Sequence, residues 1–253
     1  MNSYPFKKNL KLFAWLPNLV TLFNLFTGFL AILMIAEGKL STGAWLICAA
    51  LCWDSLDGNI ARIFRNPSLL GKELDSLADM VSFGVAPAFF ALRSWHYKFS
   101  PGTLVIAFIY LGAVAYRLAR FNIKGGTANF FQGMPSPAAG VTLSMVILAS
   151  RANGWTDQKL FTFTLGLLMI ILSALMTSQI PYPKISAMKF SNWKPLFYLG
   201  IFIFVLLRIF TNFPTALAGI FLLFSFLAPA YAFSSPEYAG HPLGKALQKK
   251  IMK

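Results

Sequence analysis

Asp54-Ser-Leu-Asp57-Gly58-Asn-Ile-Ala61-Arg62, then eight residues, then Gly71-Lys-Glu-Leu-Asp75-Ser-Leu-Ala-Asp79, is the stretch around which the 253-residue chain is organised. Five of the chain's eight acidic residues, Asp54, Asp57, Glu73, Asp75 and Asp79, fall inside it. Its flanks are strongly apolar. Asp54 and Asp57 are spaced i, i+3, and Asp75 and Asp79 i, i+4, so each pair shares one helix face. A short connection between the two helices makes them antiparallel neighbours, and that brings four carboxylates to one place. An ionised side chain at the centre of a span costs about 2.5–3.5 kcal/mol or more, and four like charges also repel. Cations must compensate them, or their pKa values must rise. Hard divalent ions with oxygen ligands fit, because no His or Cys is positioned to help. Four carboxylates can hold two such ions, the clamp used for in-line displacement at phosphorus. Gly58 lets a substrate approach the backbone. Arg62, four residues on, can pair with a phosphate, and Gly71 offers similar access on the facing helix.

The surroundings fix the solvent. Mean hydropathy is +0.64, with 57% hydrophobic and 12% charged residues. Several apolar runs approach the ~20 residues a spanning helix needs. The runs are long and continuous, which excludes the short alternating segments of a barrel. The fold expected is all-α, a polytopic membrane helical bundle of about eight spans in one integral domain over 1–253. A basic segment at 1–14 is either an interfacial helix or a plain basic flank. A catalytic core follows at 15–180, then two further spans within 195–232 and a basic tail at 233–253.

The spans expected are 16–36, 42–62, from the second half of the acidic window to about Trp95, 103–122, Pro135 to about 152, 159–179, 195–211 and 214–232. Loops are expected around Gly125, Gly126 and Gly133, and around Pro181, Tyr182, Pro183 and Lys184. With eight spans, sixteen of the 22 Lys and Arg fall on the side of both termini and the acidic window, and six on the other. The positive-inside rule makes the first side cytoplasmic. The net charge of +14 then belongs to loops facing anionic head groups, and no nucleic-acid partner is expected. Cys48 and Cys52 read as small packing residues. Trp15, Trp45, Trp95, Trp155 and Trp193 fall near span ends, where an aromatic belt is expected.

The complete spacing D-x2-D-G-x2-A-R-x8-G-x3-D-x3-D is highly specific. In it the chain resembles the CDP-alcohol phosphotransferase family, over at least the first six spans. Within the family, three further stretches look like the type II phosphatidylserine synthases. They are Pro17-Asn18-Leu-Val-Thr21-Leu-Phe-Asn24, Tyr116-Arg117-Leu-Ala-Arg120-Phe121-Asn122 and Gly133-Met-Pro135-Ser136-Pro137-Ala138-Ala139. Asp79-Met-Val-Ser82-Phe-Gly84-Val-Ala-Pro87 agrees. The resemblance implies a six-helix core, beyond which the last two spans are extra. It implies two divalent cations, Mg²⁺ or Mn²⁺, bridged by Asp54 and Asp75, with Asp57 and Asp79 completing one shell each. Asp79 would also be the general base. Gly58, Ala61, Arg62 and Ser68 would contact CDP-diacylglycerol, with Gly71 near the cytosine. The hydroxyl of L-serine would attack the β-phosphorus, giving phosphatidylserine and CMP. Family members are often homodimers.

Other positions carry two readings. Asn18 and Thr21, one turn apart, either line the nucleotide site or pack helices. Arg117, Arg120, Asn122 and Lys124 either anchor a span end or bind an acceptor's carboxylate, and Ser136 and Lys184 join them as candidates for a serine pocket. Glu73 reads as a solvated loop charge. The acceptor is the least constrained part, and an archaeal lipid donor fits the same motif. A non-enzymatic reading, a divalent-cation transporter, uses the same carboxylates, but it gives Arg62, Gly58 and Gly71 no task and places acids near one surface rather than the midplane.

Overall fold

The computed structural model describes residues 15–64, 69–95, 100–124, 130–156, 159–183 and 212–234. In chain order the helices are α1 (Leu16–Ala36), α2 (Leu40–Phe64), α3 (Leu69–Asp79), a π-helical turn (Met80–Val85), α4 (Ala86–Ser94) and α5 (Pro101–Lys124). Strand β1 (Phe130–Gln132), α6 (Ser136–Ala152), α7 (Lys159–Thr177), β2 (Pro181–Pro183) and α8 (Phe213–Ser234) follow. The all-α membrane class is borne out. Four helical stretches, Leu16–Ala36, Leu69–Ser94, Pro101–Ile123 and Lys159–Thr177, are long and apolar enough to cross a membrane. Helix α2 carries Asp54 and Asp57 and is less apolar along its length than α1. The span expected at 195–211 and the segments at 1–14 and 235–253 lie outside the described residues.

Helix α6 is the hub. It has 17 residues, about 26 Å at 1.5 Å per residue, and 12 of them are buried. A helix buried around most of its circumference belongs at the centre of a bundle. The elements α2, α4, α7, α8 and the π turn pack on it. Helices α1 and α2 form an antiparallel pair through a tight turn at Gly38, whose φ of 83° suits glycine. Helix α8 lies along α6 and is tied to it by Thr142 Oγ1 and Ser225 Oγ at 3.3 Å.

Three features depart from the sequence reading. The expected loops after α5 and α7 contain a two-stranded antiparallel ladder, Phe130 opposite Pro183, Phe131 opposite Tyr182 and Gln132 opposite Pro181. Three-residue strands leave too little alternation to be read from sequence. The third span is also not a uniform α-helix. Pro87 lacks the N–H that would bond the carbonyl of Phe83, and its ring crowds that carbonyl. The helix widens before it, with Ala86 N–H bonding Val81 O in the i→i+5 pattern of a π turn. The freed Phe83 carbonyl accepts from Tyr110 Oη at 3.0 Å. Trp95 is also not a belt residue: it is buried, and its Nε1 donates to Thr162 O at 3.1 Å.

Candidate active site

The acidic window folds as its spacing requires. Asp54 and Asp57 lie on the last turns of α2, and Asp75 and Asp79 on α3. Both helices lean on α1, which sets their separation. At the α1 crossing, Gly28 faces Ser82 so closely that a Cβ there would sit 2.7 Å from Ser82 Cα, and Ser82 Oγ donates to Asn24 O at 3.0 Å. The π turn that begins one residue after Asp79 is thereby seated against α1.

Carboxylate oxygens of Asp54, Asp57 and Asp75 lie within 4.8 Å of one another. Asp57 is buried, and its Oδ2 accepts from Thr21 Oγ1 at 2.8 Å. Asp79 is 5% exposed. Its Oδ2 accepts from Ser136 Oγ at 3.3 Å, and Ser136 Oγ in turn accepts from Arg117 Nη1. Ser136 is the first residue of α6, after the N-cap Pro135, and its hydroxyl serves Asp79. Arg117 is itself 6% exposed. Its guanidinium is outnumbered by the four carboxylates, and buried charges left unbalanced are costly.

Asp75 Oδ1 and Asp79 Oδ1 are buried without a hydrogen-bond partner among the described residues. Native proteins rarely leave such acceptors unmet. An all-oxygen cluster of converging carboxylates with unspent lone pairs is the donor set for a hard divalent cation, so these residues fit the metal that the spacing implies. Gly58 is exposed, and a Cβ built there would meet nothing within 4 Å, which leaves open space beside Asp57.

The residues read as acceptor candidates divide. Arg117 and Ser136 meet Asp79. Arg120 turns away and donates to the carbonyls of Gln132, Met176, Thr177 and Ser178. Asn122 spends its amide on α3, donating to Ser76 Oγ at 3.0 Å and Glu73 Oε2 at 3.1 Å. Glu73 is therefore a helix residue engaged with α5, not a loop charge. Asn18 is half-buried one turn before Thr21. Ser68 and Lys184, and the side chains of Ala61, Arg62 and Lys124, lie outside the described residues. Sequence reasoning passed over Tyr110 and gave Asn24 and Ser82 no role. The signal for the first was Pro87 inside a helical pattern, which demands a substitute donor for Phe83. Asn24 is fully buried on the same face of α1 as Thr21, with both amide atoms unpartnered among the described residues.

Residues 14–177 match the model of the CDP-alcohol phosphatidyltransferase family. The chain is 33% identical over 195 residues to a CDP-diacylglycerol–serine O-phosphatidyltransferase of Helicobacter pylori, covering 75% of this chain and 79% of the relative. It is 34% identical over 183 residues to an archaetidylserine synthase of Methanothermobacter thermautotrophicus, covering 72% and 75%. It is 38% identical over 168 residues to a CDP-diacylglycerol–serine O-phosphatidyltransferase of Methanocaldococcus jannaschii, covering 65% and 72%. With the acidic motif complete and its carboxylates gathered at one end of the bundle, the chain belongs to the CDP-alcohol phosphatidyltransferase family.

Proposed function

We propose that this multi-pass membrane protein transfers a phosphatidyl group from CDP-diacylglycerol to L-serine, releasing CMP. The observation that carries the reading is the convergence of Asp54, Asp57 and Asp75 within 4.8 Å, beside a buried Asp79 linked through Ser136 to Arg117. The relatives' names supply the serine acceptor.

The family is divalent-metal dependent. Mg²⁺ or Mn²⁺ ions held by Asp54, Asp57, Asp75 and Asp79 would neutralise the pyrophosphate and stabilise charge on the leaving CMP. The chain's own residues do the rest. Open space at Gly58 admits the pyrophosphate, and Arg62 pairs with a phosphate oxygen. Asn18, Thr21, Ala61, Ser68 and Gly71 line the nucleotide side. Asp79 takes the proton of the serine hydroxyl as the new P–O bond forms and the bond to CMP breaks. Ser136 holds the Asp79 carboxylate by one oxygen. Arg117, the buried cation nearest Asp79, receives the acceptor's carboxylate. The acidic end faces the cytoplasm, where nucleotide and serine arrive, and the acyl chains stay in the bilayer.

The test is CMP release by purified protein with CDP-diacylglycerol, Mn²⁺ and a panel of acceptors: serine, glycerol 3-phosphate, inositol phosphate, choline and ethanolamine. Release that depends on serine and yields phosphatidylserine supports the reading. Acceptor-independent release, or a preference for another alcohol, overturns it. A parallel arm with an ether-linked archaeal CDP-lipid decides the donor's tails.

A further inference from the structure

Arg120 sits one turn beyond Arg117 on α5, yet among the described residues its hydrogen bonds all go to backbone carbonyls and its one ring contact is to Tyr116. Its Nη1 donates to Thr177 O at 2.7 Å. Its Nη2 reaches Gln132 O at 2.7 Å, and Met176 O and Ser178 O at 3.0 Å each. The Tyr116 ring stacks on the guanidinium, with Cζ 5.7 Å from its centroid. Two of the four carbonyls are the last of α7 and a third belongs to Ser178 just after it, where the final carbonyls lack helical partners and the macrodipole is negative. The fourth ends β1.

The same place is pinned by backbone. Gly133 N–H bonds Ile180 O at 2.8 Å, and Met134 N–H bonds Leu175 O at 3.1 Å. Gly133 has φ +80°, and a Cβ there would meet Met176 O, Arg120 Nη2 at 2.8 Å and Ser178 O at 3.0 Å. The chain then runs through extended Pro135 directly into Ser136, the residue bonded to Asp79 and Arg117. Arg120 thus fixes the strand that delivers Ser136.

We propose that Arg120 is a positioning residue for phosphatidyl transfer, acting through Ser136, and that it does not bind the acceptor's carboxylate. A planar fork meeting carbonyls on two segments is a task for Arg that Lys cannot fill. The proposal rests on the reaction assigned above, because it needs Ser136 and Asp79 to act on the acceptor.

The experiment is a double-mutant cycle on the full chain in lipid, using Arg120→Lys, Ser136→Ala and the pair, with kcat and KM for serine read from CMP release. Hydrogen exchange at the Gly133 and Met134 amides is measured alongside. Each single substitution lowers kcat about tenfold, with KM for serine changed less than about twofold. The pair falls no more than about twofold below Ser136→Ala, because the two act as one unit. Exchange at both amides quickens in Arg120→Lys and stays as in the wild type in Ser136→Ala. Multiplicative loss in the pair, or a tenfold rise in KM for serine in Arg120→Lys, overturns the proposal, as does unchanged kcat or unchanged exchange. If Arg120→Lys fails to fold, Arg120→Gln takes its place in the cycle under the same criteria. Wild-type protein that ignores serine defeats the reaction assignment instead. The cycle is then run with whichever acceptor it uses.

Discussion

Arg117 and Arg120 stand three residues apart on one helix and meet opposite surroundings. Arg117 faces side chains: the Ser136 hydroxyl and, through it, Asp79. Arg120 faces main chain: the spent end of α7 and the end of β1. The first region keeps acceptors without a partner among the described residues, at Asp75 Oδ1 and Asp79 Oδ1. In the second, four carbonyls are drawn onto one guanidinium. The contrast separates a site from a scaffold. Chemistry needs unspent lone pairs and open volume, whereas positioning needs them filled.

Substitutions that break this contrast should rank accordingly. Asp79→Asn on the site side should lower CMP release by about 10³-fold, the middle of the range for removing a positioned base, while a thermal melt and CDP binding stay near wild type. Turnover within tenfold of wild type would remove Asp79 from proton transfer. Arg117→Lys should cost about 10² in kcat/KM for the acceptor, the scale of losing one aimed charged donor, and much less in kcat/KM for CDP-diacylglycerol. Equal losses would make Arg117 a general charge balance and blur its difference from Arg120. On the scaffold side, Gly133→Ala forces a side chain into a left-handed backbone and against carbonyls. It should destabilise by about 1–3 kcal/mol, read as a lower melting midpoint. Smallest is Tyr110→Phe, which removes the hydroxyl that donates to the Phe83 carbonyl of the π turn. A loss of about 1 kcal/mol in stability, the net worth of one hydrogen bond, with KM for serine unchanged, is expected.

The site region was legible because its signal is local. Asp54, Asp57, Asp75 and Asp79 carry helical spacing, and acids in an apolar chain have few places to go. The bounds of α1, read as 16–36 from apolar length alone, coincide with the helix found. The scaffold region was not legible, for the converse reason. Arg120 and Arg117 are the same residue type on the same turn of sequence, and what distinguishes them is a carbonyl some 57 residues away in the chain. Asn122 likewise has the chemistry of a pocket residue in sequence, and the partners its amide takes, Ser76 and Glu73, lie on α3, a distant stretch of the chain. The π turn lay between. Pro87 marked it, but one proline in a helical run is compatible with a kink as well as with a widened turn.

The central claim is that α2 and α3 build one divalent-cation site, and Mn²⁺ binding tests it most directly. Electron paramagnetic resonance titration of the CDP-loaded protein should show bound Mn²⁺ in the wild type and in Arg120→Lys. The signal should be lost in Asp54→Asn and in Asp75→Asn alike, since each removes a ligand from a different helix. Wild-type Mn²⁺ binding in either aspartate variant would contradict the account.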